Sequence, residues 1–180
     1  MRKPILFLAF LTLATACSPK SETGQGGGMA VYEDPQKRFS CKVPGDWRVR
    51  EEEPGSVAFF GPPSGSLAFA ARVSIDFYAR AGSEFASPEK FAQAQVASGA
   101  KTTPLLEKTW KGRKAYSFSL VRQLNFQHGG ERIRQERREE ILLIPVSDGF
   151  FAIEHSASPQ AQESTAPVFQ AVVESFLPST

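Results

Sequence analysis

The sequence predicts an α+β domain, an antiparallel β-sheet with helices packed on it. Three observations predict it. Leu67 to Arg80 alternates: Leu67, Phe69, Ala71, Val73, Ile75, Phe77 and Ala79 fall on one side, and Ala68, Ala70, Arg72, Ser74, Asp76, Tyr78 and Arg80 on the other. Period 2 held this long marks a strand with one packed face and one less apolar face. Ser147-Asp148-Gly149 is a tight hairpin signal between two apolar runs, and a hairpin implies antiparallel pairing. Near the C-terminus, Val168, Phe169, Val172, Val173 and Phe176 form one broad helical stripe.

Taken in order, Phe39, Cys41 and Val43 alternate with Ser40 and Lys42, a half-buried strand. Pro44-Gly45-Asp46 turns the chain, and Trp47 to Glu53 is a second strand, more exposed at its acidic end. Pro54-Gly55 turns again, and Ser56 to Phe60 is a third strand, ended by Gly61-Pro62-Pro63-Ser64-Gly65. The long alternating strand follows. Ser87-Pro88-Glu89 then opens a helix with a capping hydroxyl, a proline at the first helical position and an acid near the positive end of the dipole. This helix runs to Ser98, with Gly99 as its stop and a modest stripe of Phe91, Ala92 and the rim residue Val96. Leu105 to Trp110 is a short strand, turned by Lys111-Gly112-Arg113. Lys114 to Phe126 alternates, with Arg122 interrupting its apolar side. His128-Gly129-Gly130 is a loop, Arg132 to Val146 a strand, and Phe150 to Ser156 its hairpin partner. Ser158 to Glu163 is a polar loop before the closing helix. Strands, helix, strands, helix is the order of an α+β sheet covered by helices.

Ahead of this domain lies a leader. Met1-Arg2-Lys3-Pro4 is positive, and the 12 residues from Ile5 to Ala16 are mostly apolar. That run is too short to span hydrocarbon, which takes about 20 residues, and has the size of a signal-peptide apolar region. Leu13-Ala14-Thr15-Ala16-Cys17 resembles the lipobox of bacterial lipoproteins, with Ala14 where leucine is commoner. The resemblance implies cleavage between Ala16 and Cys17 and acylation of Cys17. The alternative is an ordinary secretory signal with Ala14-x-Ala16 as the cleavage site and Cys17 incidental. Ser18 to Gly28 holds no apolar residue and reads as a flexible tether. The expected organisation is a leader at 1–16, a lipidated cysteine and tether at 17–28, and a folded domain at 29–180. Two or three acyl chains anchor stably where one is marginal. In a Gram-negative host, Ser18 in place of aspartate resembles the outer-membrane sorting pattern.

Charge and cysteine content narrow the function. Lys plus Arg is 21 and Asp plus Glu is 19. Removing Arg2 and Lys3 leaves 19 against 19, and a neutral domain argues against nucleic acid as a partner. With Cys17 acylated, Cys41 is the remaining thiol, and its place beside Phe39 and Val43 assigns it to the core. His155 stands beside Glu154 on a strand, where neighbours point to opposite faces, and His128 sits in a glycine-rich loop. Neither pattern makes a metal or acid–base site. Glu51-Glu52-Glu53 fits no calcium loop. There is no phosphate-loop motif and no Gly-x-Ser-x-Gly elbow. The densest charge run, Glu131 to Glu140, holds four arginines and four glutamates, which suit cross-strand ion pairs on an exposed hairpin.

The domain resembles the PsbP-like family. The residues that carry the resemblance are Phe39-Ser40-Cys41-Lys42-Val43-Pro44-Gly45-Asp46-Trp47, the hairpin Leu142 to His155 around Asp148-Gly149, and the closing Phe169-x-x-Val172-Val173-x-Ser175-Phe176. The resemblance implies an α/β/α sandwich and carries no catalytic motif or cofactor. The expectation is therefore a non-catalytic binding or scaffolding domain, anchored through Cys17 in the bacterial envelope, at the outer membrane facing the periplasm. Its partner would be a protein or another envelope component. The first candidate surface is Arg132, Arg134, Glu136, Arg138 and Glu140; the second is the exposed side of Leu67–Arg80 with Arg72, Asp76 and Arg80. The rival is a small-ligand module with a pocket between sheet and helix. An envelope hydrolase built on Cys41 with a histidine, or on clustered carboxylates, is a third reading.

Overall fold

The structure, a computed structural model, describes residues 28–53, 55–62, 70–128 and 130–179. The leader 1–16, Cys17 and the tether up to residue 27 lie outside the described residues, as do Pro54, residues 63–69 and Gly129. The chain order is β1 (Met29–Glu33), β2 (Phe39–Pro44), β3 (Arg48–Glu51), β4 (Ser56–Phe60), β5 (Arg72–Ala79), α1 (Pro88–Ala97), β6 (Lys101–Thr102), β7 (Leu106–Trp110), β8 (Arg113–His128), β9 (Glu131–Val146), β10 (Gly149–Ala157), α2 (Pro159–Ser175) and β11 (Leu177–Pro178).

The strands pair antiparallel in two sheets. The larger has the order β3-β4-β5-β10-β9-β8-β6, with β7 also on the outer edge of β8; the smaller is β1-β2-β11. The centre of the large sheet is apolar on both faces. In β10, Phe151 and Ile153 pack into one core with Phe59, Val73, Ile75, Ile144 and the α2 residues Phe169 and Val172. Their neighbours Phe150 and Ala152 pack into a second core with Phe118, Leu120, Ile141, Leu143 and the α1 residues Phe91 and Ala92. A strand buried on both faces reads as a continuous apolar run, as Ile141–Ile144 and Phe150–Ile153 do. β2 adds Phe39, Cys41 and Val43 to the α2-side core. The layers are α1, the large sheet, then α2 with the small sheet, so this is an α/β/α sandwich.

Both helices start on the same device. Ser87 Oγ accepts from the Lys90 amide at 3.4 Å ahead of Pro88, and Ser158 Oγ accepts from the Ala161 amide at 3.3 Å ahead of Pro159. Helix α1 ends at Ala97 with Ser98 as its C-cap, and Gly99 takes a φ of 80° as its stop. Ser158 to Glu163 is therefore a helix cap and first turns rather than a loop. Besides the Ser158 cap, only Ala161 is buried in those turns, so no apolar rhythm advertises them.

The long alternating segment also differs from expectation. β5 begins at Arg72, and both its faces are covered: Val73 and Ile75 enter the α2-side core while Tyr78 packs against the α1-side core. At the β9–β10 turn, Val146 pairs with Gly149. A Cβ on Gly149 would stand 2.0 Å from the Tyr78 carbonyl oxygen, so the approach of β10 to β5 requires glycine there.

Candidate interaction surface

β8 and β9 are the longest strands, and their pairing runs from Tyr116↔Leu143 out to His128↔Glu131. β10 accompanies β9 only over 138–146, and β6 and β7 accompany β8 only up to Val121. The outer part of the hairpin, about 122–137, is thus a two-stranded ribbon extending past the sheet.

Alternation divides the charge run between the two faces of this ribbon. Arg132, Arg134, Glu136, Arg138 and Glu140 share the α2-side face, continuing the row of Leu142 and Ile144. Arg138 Nε donates to Glu136 Oε1 at 3.0 Å, Arg134 Nε to Gln123 Oε1 at 3.2 Å, and Gln123 Nε2 to Glu136 Oε2 at 3.4 Å. Arg132, Arg134 and Arg138 are exposed, while Glu136 and Glu140 are half-buried. Pairs this open contribute at most about 1 kcal/mol each, so the row is a polar surface and not a source of stability. At its inner end Glu140 accepts from Gln162 of α2 at 3.4 Å.

The opposite face holds a different arrangement. Glu139, 5% exposed, lies between Arg122 at 3.1 Å and Arg137 at 3.3 Å. Arg122 also donates to Ser98 at 3.0 Å and to Gln95, tying the ribbon to the end of α1, and Arg137 bonds Ser156. The cross-strand ion pair expected on an exposed hairpin is found here instead, between Arg122 of β8 and the buried Glu139 of β9, whereas the exposed row pairs Arg138 with Glu136 along one strand.

The second candidate surface is not the open face expected. Arg72 is half-buried and paired with Glu52 at 2.8 Å, and Asp76 is half-buried and accepts from the Ser56 hydroxyl; only Arg80 is exposed. Burial raises the Asp76 carboxyl, with the Ser56 bond and Arg72 opposing. Glu154, cross-strand from Ser74, joins the same face. Burial first and the charge of Glu139 second lift its carboxyl well above the usual range, against Arg137 and Arg72. Sequence reading missed Glu154 as part of a carboxylate cluster, because only the register of β5, β10 and β9 brings Asp76, Glu154 and Glu139 to one face. Asp76, Glu154 and Glu139 do not themselves line the grooves at β6, at α2 or beside β3, and the flanking Ser74 and Ser156 are buried, so the carboxylates are held by the arginines and serines around them.

The remaining candidates separate cleanly. Cys41 is 2% exposed, and burial pushes its thiol up to about 12, which closes the nucleophile route. His155 is fully buried, stacked on Phe169 with ring centres 5.5 Å apart, and far from being a free base. The side chain of His128 lies outside the described residues. In the acidic end of β3, Glu52 is taken up by Arg72, and among the described residues no group of three or more His, Cys, Asp or Glu is placed to hold a metal ion. A groove of about 530 Å³ runs between α2 and the β7–β8 edge, with Trp110, Leu142, Phe169 and Val173 as apolar walls and Ser117, Ser119 and Glu140 as polar ones. No described helix is long and apolar enough to cross a membrane.

No protein-family profile and no curated relative matches the chain. Solved structures do. The cyanobacterial PsbP (CyanoP) of Synechocystis superposes with a TM-score of 0.53 at 13% identity, over 87% of this chain and 96% of that one. A Pseudomonas aeruginosa protein of unknown function gives 0.52 at 16% identity, over 86% and 99%. The fold is PsbP-like. A Bacteroides thetaiotaomicron protein matches at a TM-score of 0.48 and 14% identity over 86% of this chain, which spans half that protein's length. In this PsbP-like domain the β8–β9 ribbon is where exposed charge is concentrated on a projecting element, and the α2 groove is where an apolar concavity opens between sheet and helix.

Proposed function

We propose that the chain is a lipid-anchored envelope protein whose PsbP-like domain binds or scaffolds another protein or envelope component without catalysis. The observation that carries this reading is the ribbon: Arg132, Arg134, Glu136, Arg138 and Glu140 in one row on a strand pair that leaves the sheet behind. Such a row gives a partner a flat, register-defined pattern of charge, the kind of complementarity that sets specificity and on-rate. The lipobox-like Ala14-Thr15-Ala16-Cys17 and the apolar-free tether supply the anchor, and the neutral balance of the remainder speaks against nucleic acid. The outer membrane facing the periplasm is the location we assign.

The test uses native envelopes. Crosslinking and pull-down with the wild-type chain should recover a partner that the Arg132→Glu, Arg134→Glu, Arg138→Glu triple variant does not. Equal recovery by both would remove the ribbon from the interface. The anchor has a separate check: Cys17→Ser should move the protein from the membrane pellet to the soluble fraction, and retention in the pellet would end the lipoprotein reading.

A second reading, a small-ligand module, is favoured by the groove between α2 and β7–β8, whose size lies in the range of ligand sites. Trp110 lines it, so a ligand there should change tryptophan emission. A screen of envelope lipids and metabolites that leaves the emission unchanged would rule against this reading.

A further inference from the structure

The outer strand of the ribbon differs from its partner in a way the binding reading does not use. From Val121 inward β8 is covered by β6 and β7, but over 122–128 its outer edge meets no strand among the described residues. Exposed edges are normally guarded by charge, proline or a bulge. Gln123-Leu124-Asn125-Phe126-Gln127 has none of these, although the β9 positions that pair with it, Arg132 to Glu136, carry three charges. The segment also reads alike in both directions, with amides at 123, 125 and 127 and apolar residues at 124 and 126.

We infer that two copies of this chain join through this edge, β8 to β8, antiparallel about Asn125. The two-fold axis then passes at Asn125, Gln123 stands opposite Gln127 of the second copy, and Leu124 opposite its position 126. Only this kind of register, with each residue facing a partner of the same parity, keeps like faces on the same side of a joined sheet. Gln123, Asn125 and Gln127 are exposed; Gln123 already bonds Arg134 and Glu136, so the contact the pairing adds first is the one between the two Asn125 amides on the axis. At the inner end of the segment an open groove of about 480 Å³, lined by Ser98, Gly99, Lys101, Val121 and Leu124, separates the start of β6 from this edge. The pairing places the charged rows of both copies on one continuous face, because the axis is perpendicular to the sheet. Two rows presented together give a bivalent surface to any partner. The inference does not depend on lipidation.

Cysteine crosslinking in the full-length chain, expressed in its envelope, tests the register. Asn125→Cys places two thiols on the axis, with Cα atoms about 5 Å apart, within disulfide reach. Gln123→Cys puts its copies roughly 13 Å apart along the strands, and Arg134→Cys about 14 Å apart across them, both too far. The expected result is a covalent dimer for Asn125→Cys above the wild-type background. Gln123→Cys and Arg134→Cys should give none alone, and Gln123→Cys co-expressed with Gln127→Cys should restore the crosslink. Sedimentation of the detergent-solubilised wild-type chain should show a dimer that Asn125→Lys converts to monomer. A wild-type chain that sediments as a monomer, or crosslinking equal at 123, 125 and 134, overturns the inference.

Discussion

His155 Nε2 and Thr165 Oγ1 are 2.8 Å apart, joining β10 to α2 inside the core. The Thr165 hydroxyl donates to the Ala161 carbonyl at 2.7 Å, so it accepts from His155, and Nε2 carries the imidazole proton. Nδ1 is then the acceptor, with the Gln162 amide nitrogen 3.3 Å away. A neutral ring matches both of its contacts, as donor to Thr165 and acceptor from Gln162. A second proton would face the Gln162 donor in a dry site, and burial accordingly lowers the pKa to about 4.

Acid should therefore loosen the α2–β10 contact. The unfolded histidine takes up its proton near pH 6.5 and the folded one near 4, so between these values the unfolded state binds more protons and stability falls as pH falls. The contribution is complete above 6.5, and its loss amounts to about 3 kcal/mol by pH 4. Urea unfolding of wild type and His155→Gln at pH 7 and pH 4.5 should show a smaller pH dependence in the variant. Equal slopes would place the proton elsewhere.

Glu154 acts with the opposite sign. Its raised carboxyl keeps a proton in the folded state at pH values where the unfolded carboxyl has lost it, so its stability is present below about 4.5 and is lost as pH rises. Glu154→Gln should become more stable relative to wild type as pH increases from 5 to 8. Thermal unfolding across that range checks it, and a variant that loses ground toward pH 8 would contradict the burial argument.

Gly149 admits no side chain. Gly149→Ala should cost about 3 kcal/mol or prevent accumulation of folded protein, since the clash at 2.0 Å is with the backbone of β5. Gly112→Ala is the comparison: its φ of 75° is strained, but nothing lies within 4 Å of an added Cβ. A denaturation midpoint for Gly149→Ala as high as that of Gly112→Ala would contradict the close approach.

Cys41 should resist alkylation. In a Cys17→Ser background, iodoacetamide followed by mass spectrometry should label it only under denaturant, at the rate of unfolding. Labelling in buffer within minutes at pH 8 would mean the strand β2 opens locally.

Ser158→Ala should cost about 1 kcal/mol or more, because this cap is buried, and Ser87→Ala less, because the Ser87 cap is at the surface. Chemical denaturation of both variants gives the ordering.

The paired serines also show why part of the fold was legible and part was not. Ser87-Pro88 and Ser158-Pro159 are the same local signal, yet only the first is followed quickly by a large apolar residue, Phe91. After Ser158 the helix holds no large apolar residue until Val168, and what it buries there is Ala161 and a histidine contact from another strand. The strands β1, β6 and β11 escaped for a related reason: they are short or exposed and owe their existence to a neighbour's open edge. The charge run was legible as a hairpin, but not its pairing: the exposed row pairs along one strand, and the cross-strand pair goes to the buried Glu139, which follows from which face each residue meets.

By itself, the sequence determined the α+β class, most of the strands, the cap and stop of α1, the core position of Cys41 and the row of charges on the β8–β9 hairpin. These are local properties, since period, turn chemistry and capping act over a few residues. The tertiary structure alone decided that both faces of β5 are covered, that Asp76, Glu154 and Glu139 share one face, and that Gly149 must be glycine. Each of these depends on the register between strands distant in the chain, and register is set by the packing of two cores at once rather than by any single strand.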